Sequence, residues 1–139
     1  MNMSHQLAFE NRETYDTRLE GITIEARLVL GEESVICQAK IDTGGQACLF
    51  MREIAETLGI DIEAGHRRVF STLAGSLTAY GHTVRLQTLG LEFDSLIYFP
   101  ADYGLPRNLL GREGWLQKVR LAVIDYDSTL YVSPYRNPA

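Results

Sequence analysis

The chain has 139 residues, of which 45% are apolar and 22% are charged, and its net charge is −5. This length is sufficient for one domain with a substantial core, and the composition is typical of a soluble globular protein. The acidic balance argues against nucleic acid as a partner, and the absence of an apolar run of roughly 20 residues argues against a membrane span.

The first 18 residues are polar and aperiodic, so we predict a flexible N-terminal arm over residues 1–18 and a folded domain over residues 19–139. The opening "MNMSHQLAFENRETYD" has neither the charged nor the apolar region of a secretory signal, and we therefore expect a cytoplasmic protein. Cys37 and Cys48 form neither a disulfide framework nor a metal-binding pattern, and the three histidines are widely separated. We expect neither a metal ion nor a cofactor.

Two alternating segments predict the first strands. "ITIEARLVL" (22–30) and "VICQAKI" (35–41) alternate apolar with polar residues, and "GEES" predicts the turn between them. The second strand leads directly into Asp42. Beyond the glycines, "ACLF" (47–50) predicts a short buried strand, and "MREIAETLGI" (51–60) predicts a short helix that ends near its glycine.

The middle of the chain predicts three further strands between residues 67 and 99. The first turn is expected at Ala74-Gly75-Ser76, and Gly81 and Gly90 are expected to mark further breaks. A loop over residues 100–108 follows.

The C-terminal part predicts a brief strand, a helix and a hairpin. "LLG" (109–111) is the strand, "REGWLQKV" (112–119) is the short helix, with Trp115 as a packing residue, and residues 120–132 form the hairpin, with its turn near residues 126–128. The predicted class is mostly β, with one or two short helices, closed like a small barrel or a sandwich.

Asp42 is the residue whose role the pattern leaves open. An Asp followed by Thr and two glycines is compatible with a solvated turn as well as with a catalytic acid. The flanking apolar strands hold it on rigid elements, and a second apolar motif with glycine, Leu109-Leu110-Gly111-Arg112, follows well downstream.

Taken together, the motifs resemble those of the retropepsin-like aspartic proteases. "IDTGG" (41–45) resembles the catalytic loop, "STLAGSLTAYG" (71–81) the flap hairpin, and "NLLGREGWL" (108–116) the ψ-shaped loop with its helix. "LFMREIAETLGI" (49–60) resembles the helix that follows the catalytic loop in bacterial and retroelement-derived members. The resemblance implies a retropepsin-like acid-protease barrel that is active as a two-fold homodimer on a peptide or protein substrate.

The resemblance also implies a role for each matching residue. Asp42 would be the catalytic acid, and because the chain holds a single Asp-(Ser/Thr)-Gly, the second carboxylate would be Asp42 of another copy. The two carboxylates would share one proton and activate a water. The remaining residues fall into three groups: loop support from Thr43, Gly44 and Gly45; the flap from Leu73, Ala74, Gly75 and Ser76; and the ψ-loop support from Leu109, Leu110, Gly111 and Arg112.

The chain departs from the family pattern directly after the Asp-Thr-Gly triplet. The family usually has Ala, Ser or Thr where this chain has Gly45, and without a hydroxyl there we expect a less acidic pH optimum than that of pepsin-like enzymes. Gln46 and Ala47 stand where retroviral members carry acids, so Arg112 would lack its acidic partner.

Three alternatives accompany the protease hypothesis. One is a retropepsin-like dimerisation or peptide-binding module without efficient turnover. Another is an unrelated small β-barrel in which Asp42 lies in a surface turn and Gly75 in an ordinary hairpin. A Cys48 nucleophile is disfavoured, because no nucleophile motif surrounds it and free Cys is commonly a buried packing residue. For the dimer, the arm 1–18 and the segment 128–139 are the candidate inter-subunit strands.

Overall fold

The structure is a computed structural model and describes residues 3–136. These residues form ten strands, one α-helix and three short 3-10 helices. None of their helices has the length and apolar character needed to cross a membrane. The elements are β1 Asn11–Thr14, β2 Thr23–Leu30, β3 Glu33–Ile41, β4 Cys48–Leu49, α1 Arg52–Thr57, β5 His66–Thr72, β6 Gly75–Thr88, β7 Leu91–Pro100, β8 Asn108–Leu110, β9 Val119–Ile124 and β10 Thr129–Pro134. The predicted mostly β class is confirmed.

The main sheet closes on itself. Its seven strands follow the order β2-β3-β8-β4-β7-β6-β5, and an additional pairing joins β2 to β6. Six strands therefore form a closed barrel, while β5 is attached outside it through β6. Closure removes the open edges that a small sheet would otherwise expose.

The alternation predicted for the first two barrel strands is confirmed. Ile24, Ala26 and Leu28 of β2 are buried, and Ala39 and Ile41 of β3 join the same core. Burial of these side chains fixes the register of β3, because a shift by one residue would turn its apolar side outward. The strand that leads into Asp42 is therefore rigidly placed.

The turn between β6 and β7 lies at Leu89 and Gly90, as the glycine predicted. Both residues have positive φ, 53° and 78°, which is typical of a two-residue type I′ hairpin turn. The predicted break at Gly81 is wrong, because Gly81 lies inside β6 and pairs with His66 and Tyr98. A Cβ at Gly81 would lie 3.0 Å from Cε1 of the Tyr98 ring, so close packing explains this glycine.

Helix α1 forms as predicted and stops at a glycine. Gly59 adopts φ 73°, its N–H donates to the Glu56 carbonyl (3.0 Å), and the N–H of Ile60 donates to the Ala55 carbonyl (3.0 Å). These two bonds form a Schellman motif, which satisfies the last carbonyls of the helix.

The second predicted helix, over residues 112–119, is reduced to one 3-10 turn at Leu116–Lys118. Gly114 has φ 95°, a left-handed conformation that interrupts a right-handed helix. The backbone N–H groups of Arg112 and Glu113 also donate to carbonyls elsewhere in the chain, as described below. Trp115 is fully buried, which confirms its packing role.

The predicted flexible arm is wrong for residues 11–15. Strand β1 pairs antiparallel with β10, from Asn11 opposite Val132 to Thr14 opposite Thr129. Tyr15 is buried, and its hydroxyl donates to Asp125. The folded part therefore begins at Asn11 rather than at residue 19. Residues 1 and 2 of the predicted arm lie outside the described residues.

The C-terminal hairpin forms as predicted, but its last strand is not open to a partner. Strands β9 and β10 meet through a 3-10 turn at Asp125–Asp127, and Ser128 follows with φ 52°. Strand β10 pairs with β9 on one side and with β1 on the other. The segment 128–139 therefore offers no free edge over residues 129–132, whereas Ser133 and Pro134 pair with β9 alone, and residues 137–139 lie outside the described residues. The outer strands of this sheet are β1 and β9.

An ion pair holds α1 against the loop before β5, and it gives stability a pH dependence. Arg52 Nη1 lies 2.7 Å from Glu63 Oε1, and this hydrogen bond lowers the pKa of Glu63. A carboxylate whose pKa is lower in the folded state stabilises the protein above its unfolded pKa of about 4.3 and loses that effect as the pH falls.

We therefore expect Glu63→Gln to lower the thermal unfolding midpoint by about 1–3 °C near pH 7 and by almost nothing near pH 3. Differential scanning fluorimetry across this pH range measures the difference. Glu32→Gln, at an exposed Glu in the β2–β3 turn, is the control. A difference that stays constant with pH would contradict this prediction.

Candidate active site

Asp42 lies immediately after β3, where the chain turns. Its N–H donates to the carbonyl of Leu110 (2.9 Å) at the end of β8, and its own carbonyl accepts from the N–H of Gly45 (3.0 Å). The residue is half-buried, while Thr43 and Gly44 at the turn are exposed. The backbone of Asp42 is thus fixed by two parallel strands, and its turn opens toward solvent.

The loop after Asp42 is bonded directly to the loop after β8. The N–H of Arg112 donates to the Gly45 carbonyl (2.8 Å), and the N–H of Glu113 donates to the Gln46 carbonyl (2.9 Å). Ala47 and Glu113 also form a parallel bridge. The structure therefore brings together the two motifs that lie far apart in the sequence, and we call residues 42–46 the acid loop and residues 111–113 the ψ loop.

Gly111 permits this contact because it has no side chain. A Cβ there would lie 2.2 Å from the Ala47 carbonyl oxygen and 2.8 Å from the Gly45 carbonyl oxygen. The Gly45 carbonyl already accepts from Arg112, and Ala47 is bridged to Glu113, so neither moves away cheaply. The predicted role of Gly111 rests on close approach rather than on a left-handed φ.

The two leucines before Gly111 lie in β8, between the strands on either side of the acid loop. Leu110 is fully buried and pairs with Ile41, while Leu109 is half-buried and pairs with Lys40 and Leu49. Arg112 contributes its backbone N–H to the acid loop, and its side chain is exposed.

Asn108 is a supporting residue that the sequence did not reveal. Its side-chain Oδ1 accepts from the N–H of Met51 (2.8 Å), and its Nδ2 donates to the carbonyl of Gln38 (2.9 Å). The side chain is buried and ties β3 to the start of α1 across β8. No local pattern marks this Asn, because both of its partners are more than fifty residues away.

Gly45 is explained by the Asp42 carboxylate. A Cβ at Gly45 would lie 2.7 Å from Asp42 Oδ2 and 3.3 Å from the Asp42 carbonyl oxygen. The closest atom is the free end of a side chain, which can rotate away. A side chain at position 45 would therefore move the carboxylate, not the loop.

We expect Gly45→Ala to change the free energy of unfolding by less than about 1 kcal/mol while turning the Asp42 carboxylate. The measurements are thermal unfolding and the ¹³C chemical shift of the Asp42 carboxyl carbon. An unchanged carboxyl shift would contradict the expected rotation, and a large loss of stability would mean that the backbone contact dominates.

The four predicted flap residues lie together at the end of the β5–β6 hairpin. All of Leu73, Ala74, Gly75 and Ser76 are exposed. The two-residue turn consists of Leu73 and Ala74, so its centre lies earlier than the predicted Ala74-Gly75-Ser76. Gly75 opens β6 with φ 126°, a value that favours glycine.

Cys48 has the properties of a packing residue. Burial raises the pKa of its thiol to about 12, so the nucleophilic thiolate is scarce near neutral pH. His82 would be a candidate base for such a thiol, but its Nε2 lies 2.8 Å from the Ile62 carbonyl oxygen. The structure argues against a cysteine nucleophile here.

Two grooves on the surface of the chain lie away from Asp42. One, of about 740 Å³, runs between the β1–β2 connection, β2 and the β6–β7 turn, and the other, of about 390 Å³, lies beside Lys40 and Arg107. Neither is lined by the acid loop. Asp42 itself is half-buried, beside the exposed Thr43 and Gly44.

No protein-family model matches the chain, and no curated protein sequence matches it. Among solved structures, the chain is similar to the crystal structure of a retropepsin-like aspartic protease from Rickettsia conorii, with 20% sequence identity and a TM-score of 0.65. The match covers 92% of this chain and 100% of that chain. Likeness at this identity concerns the fold, and it removes the unrelated β-barrel from the alternatives. The chain has the fold of the retropepsin-like aspartic proteases.

Proposed function

We propose that the protein is an aspartic endopeptidase that acts as a two-fold homodimer, with Asp42 of each copy in a shared site. The observation that carries the proposal is the bonding of the acid loop to the ψ loop within a retropepsin-like fold. Four backbone hydrogen bonds around Asp42 and the ψ loop hold the backbone that carries the carboxylate in one position. Such preorganisation is what general acid–base catalysis requires of its groups.

The proposed chemistry uses two carboxylates and one proton. The ionised Asp42 takes a proton from a bound water as the water oxygen attacks the scissile carbonyl carbon. The protonated Asp42 of the other copy donates to the carbonyl oxygen, and a proton then passes to the leaving amine nitrogen. The two carboxylates would share one proton, because two like charges at hydrogen-bonding distance repel each other.

Three features of the protomer support a second copy at this site. The chain contains one Asp-Thr-Gly, Thr43 and Gly44 are exposed at the turn, and neither described groove reaches Asp42. A second copy placed against Thr43 and Gly44 would supply the other wall of a substrate cleft at Asp42. Exposed Thr43 is available for contact across the two-fold axis.

The test is peptide cleavage by the parent protein and by Asp42→Asn. Unstructured peptides are incubated from about pH 3 to about pH 7, and products are identified by mass spectrometry. Cleavage by the parent alone supports the protease. Peptide binding without cleavage by either protein would favour the binding module, and equal cleavage by both would exclude Asp42 as the catalytic acid.

A further inference from the structure

One ion pair connects β5, the first strand of the β5–β6 hairpin, to the ψ loop. Arg68 Nη1 in β5 lies 2.7 Å from Glu113 Oε2, and the two residues are 45 positions apart. The Arg68 side chain is 25% exposed, so water screens this pair less than a fully exposed one. The hydrogen bond to Glu113 raises the pKa of Arg68 above its ordinary value, and the guanidinium stays charged.

The guanidinium also rests on aromatic rings. It lies 4.7 Å from the centre of the Phe70 ring and 5.4 Å from the centre of the Tyr98 ring. The two rings meet edge to face, with centres 5.2 Å apart, and they pack with Ala47 and Ala79 in a small apolar cluster. A cation over two rings and a carboxylate at one end of its planar group define one orientation for Arg68.

Arg68 lies at the point where the β5–β6 hairpin leaves the barrel. Arg68 is opposite Ala79, and Ala79 is the first residue of β6 that also pairs with β7, at Pro100, so the residues of β6 before it have no β7 partner. Beyond this point the hairpin is joined to the barrel by the contact of Phe70 with Tyr98 and by Thr78, whose carbonyl accepts from the N–H of Ala101 (2.9 Å). We call residues 69–78 the projecting hairpin. Arg68 therefore lies at its root.

Glu113 links this root to the acid loop. Its N–H donates to the Gln46 carbonyl, and its backbone bridges to Ala47. A single side-chain ion pair thus connects the root of the hairpin to the backbone that follows Asp42.

We propose that Arg68 is a positioning residue, which holds the projecting hairpin at a fixed angle to the acid loop through its ion pair with Glu113. Without the ion pair, the hairpin keeps its own strand pairing but loses a fixed angle to the loop. The hairpin then has to be ordered again whenever it closes over a bound peptide. This consequence for catalysis rests on the proposed function, whereas the effect on the hairpin itself does not.

Hydrogen–deuterium exchange on the protein without substrate tests the proposal directly. In Arg68→Met we expect the amides of residues 69–78 to exchange at least about threefold faster, because local opening requires less free energy. Glu113→Gln should act in the same direction. Arg68→Lys, which keeps the charge but not the planar group, should have an intermediate effect.

The control is Arg85→Met, which breaks ion pairs from Arg85 to Glu92 (3.0 Å) and to Asp94 (3.4 Å) at the other end of β6. It should leave exchange in the projecting hairpin unchanged. Exchange rates in Arg68→Met and Glu113→Gln that match those of the parent or of Arg85→Met would overturn the proposal. Arg68→Lys and Glu113→Gln keep the test decisive if Arg68→Met fails to fold.

Peptide kinetics supply the second readout. We expect Arg68→Met to raise KM by about fivefold, with a smaller change in kcat, because ordering the hairpin would reduce the free energy of peptide binding. An inactive parent protein would refute the proposed function and leave the exchange result standing. Normal exchange in an active Arg68→Met variant would refute the positioning role alone.

Discussion

Asp42→Asn is expected to lower kcat for peptide cleavage by about a thousandfold or more. The Asn side chain has nearly the same shape, but its amide cannot accept the proton of the attacking water. The backbone bonds of residue 42 to Leu110 and Gly45 do not involve the carboxylate, so they remain. The unfolding midpoint should therefore change by less than about 2 °C, which separates loss of catalysis from loss of fold.

Mixing the two proteins extends the Asp42→Asn result to the shared site. If each site needs Asp42 from both copies, then equal amounts of parent and variant, after subunit exchange, should retain about one quarter of the activity of the same total amount of parent. Independent protomers would retain about one half. A value near one half would contradict the shared carboxylate pair, even if Asp42→Asn itself is inactive.

Gly111→Ala is expected to cost about 3 kcal/mol in the free energy of unfolding, equivalent to a fall of about 10 °C in the midpoint. The added methyl group would lie 2.2 Å from the Ala47 carbonyl oxygen, so the ψ loop and the acid loop have to separate. Separation breaks the bonds from Arg112 to Gly45 and from Glu113 to Gln46. Thermal and denaturant unfolding measure the loss, and cleavage should fall with it.

Gly44→Ala is the matched control for Gly111→Ala. Gly44 lies in the acid loop, its φ is outside the left-handed region, and the nearest atom to an added Cβ is Asp42 Oδ1 at 3.9 Å. We expect a change of less than about 1 kcal/mol in stability. If both substitutions lower the free energy of unfolding by the same amount, then close approach of backbone atoms does not explain why position 111 is a glycine.

The barrel strands and the acid loop were predictable because their signals are local. Alternation in β2 and β3 gives the inward side chains directly, and the apolar residues around Asp42 indicate that it follows a strand. The ψ loop was predictable through its motif, although the hydrogen bonds that join it to the acid loop are visible only in the structure.

The elements that the sequence missed depend on distant partners. Strand β1 reads "NRET", which has no apolar alternation, and it is a strand because β10 provides its hydrogen bonds. The second predicted helix does not form because Gly114 has a left-handed φ. Gly114 also packs tightly against β7, where an added Cβ would be 2.6 Å from the Leu96 carbonyl oxygen. Asn108 and Arg68 acquire their roles from partners that no short pattern contains.

The β1–β10 pairing has a consequence for synthesis on the ribosome. Asn11 is opposite Val132, so β1 has to wait for β10, which is translated much later, before their sheet can form. Until then, both β1 and β9 lack the strand to which they pair. A nascent chain from which Val132 has not yet emerged is therefore unable to complete this sheet.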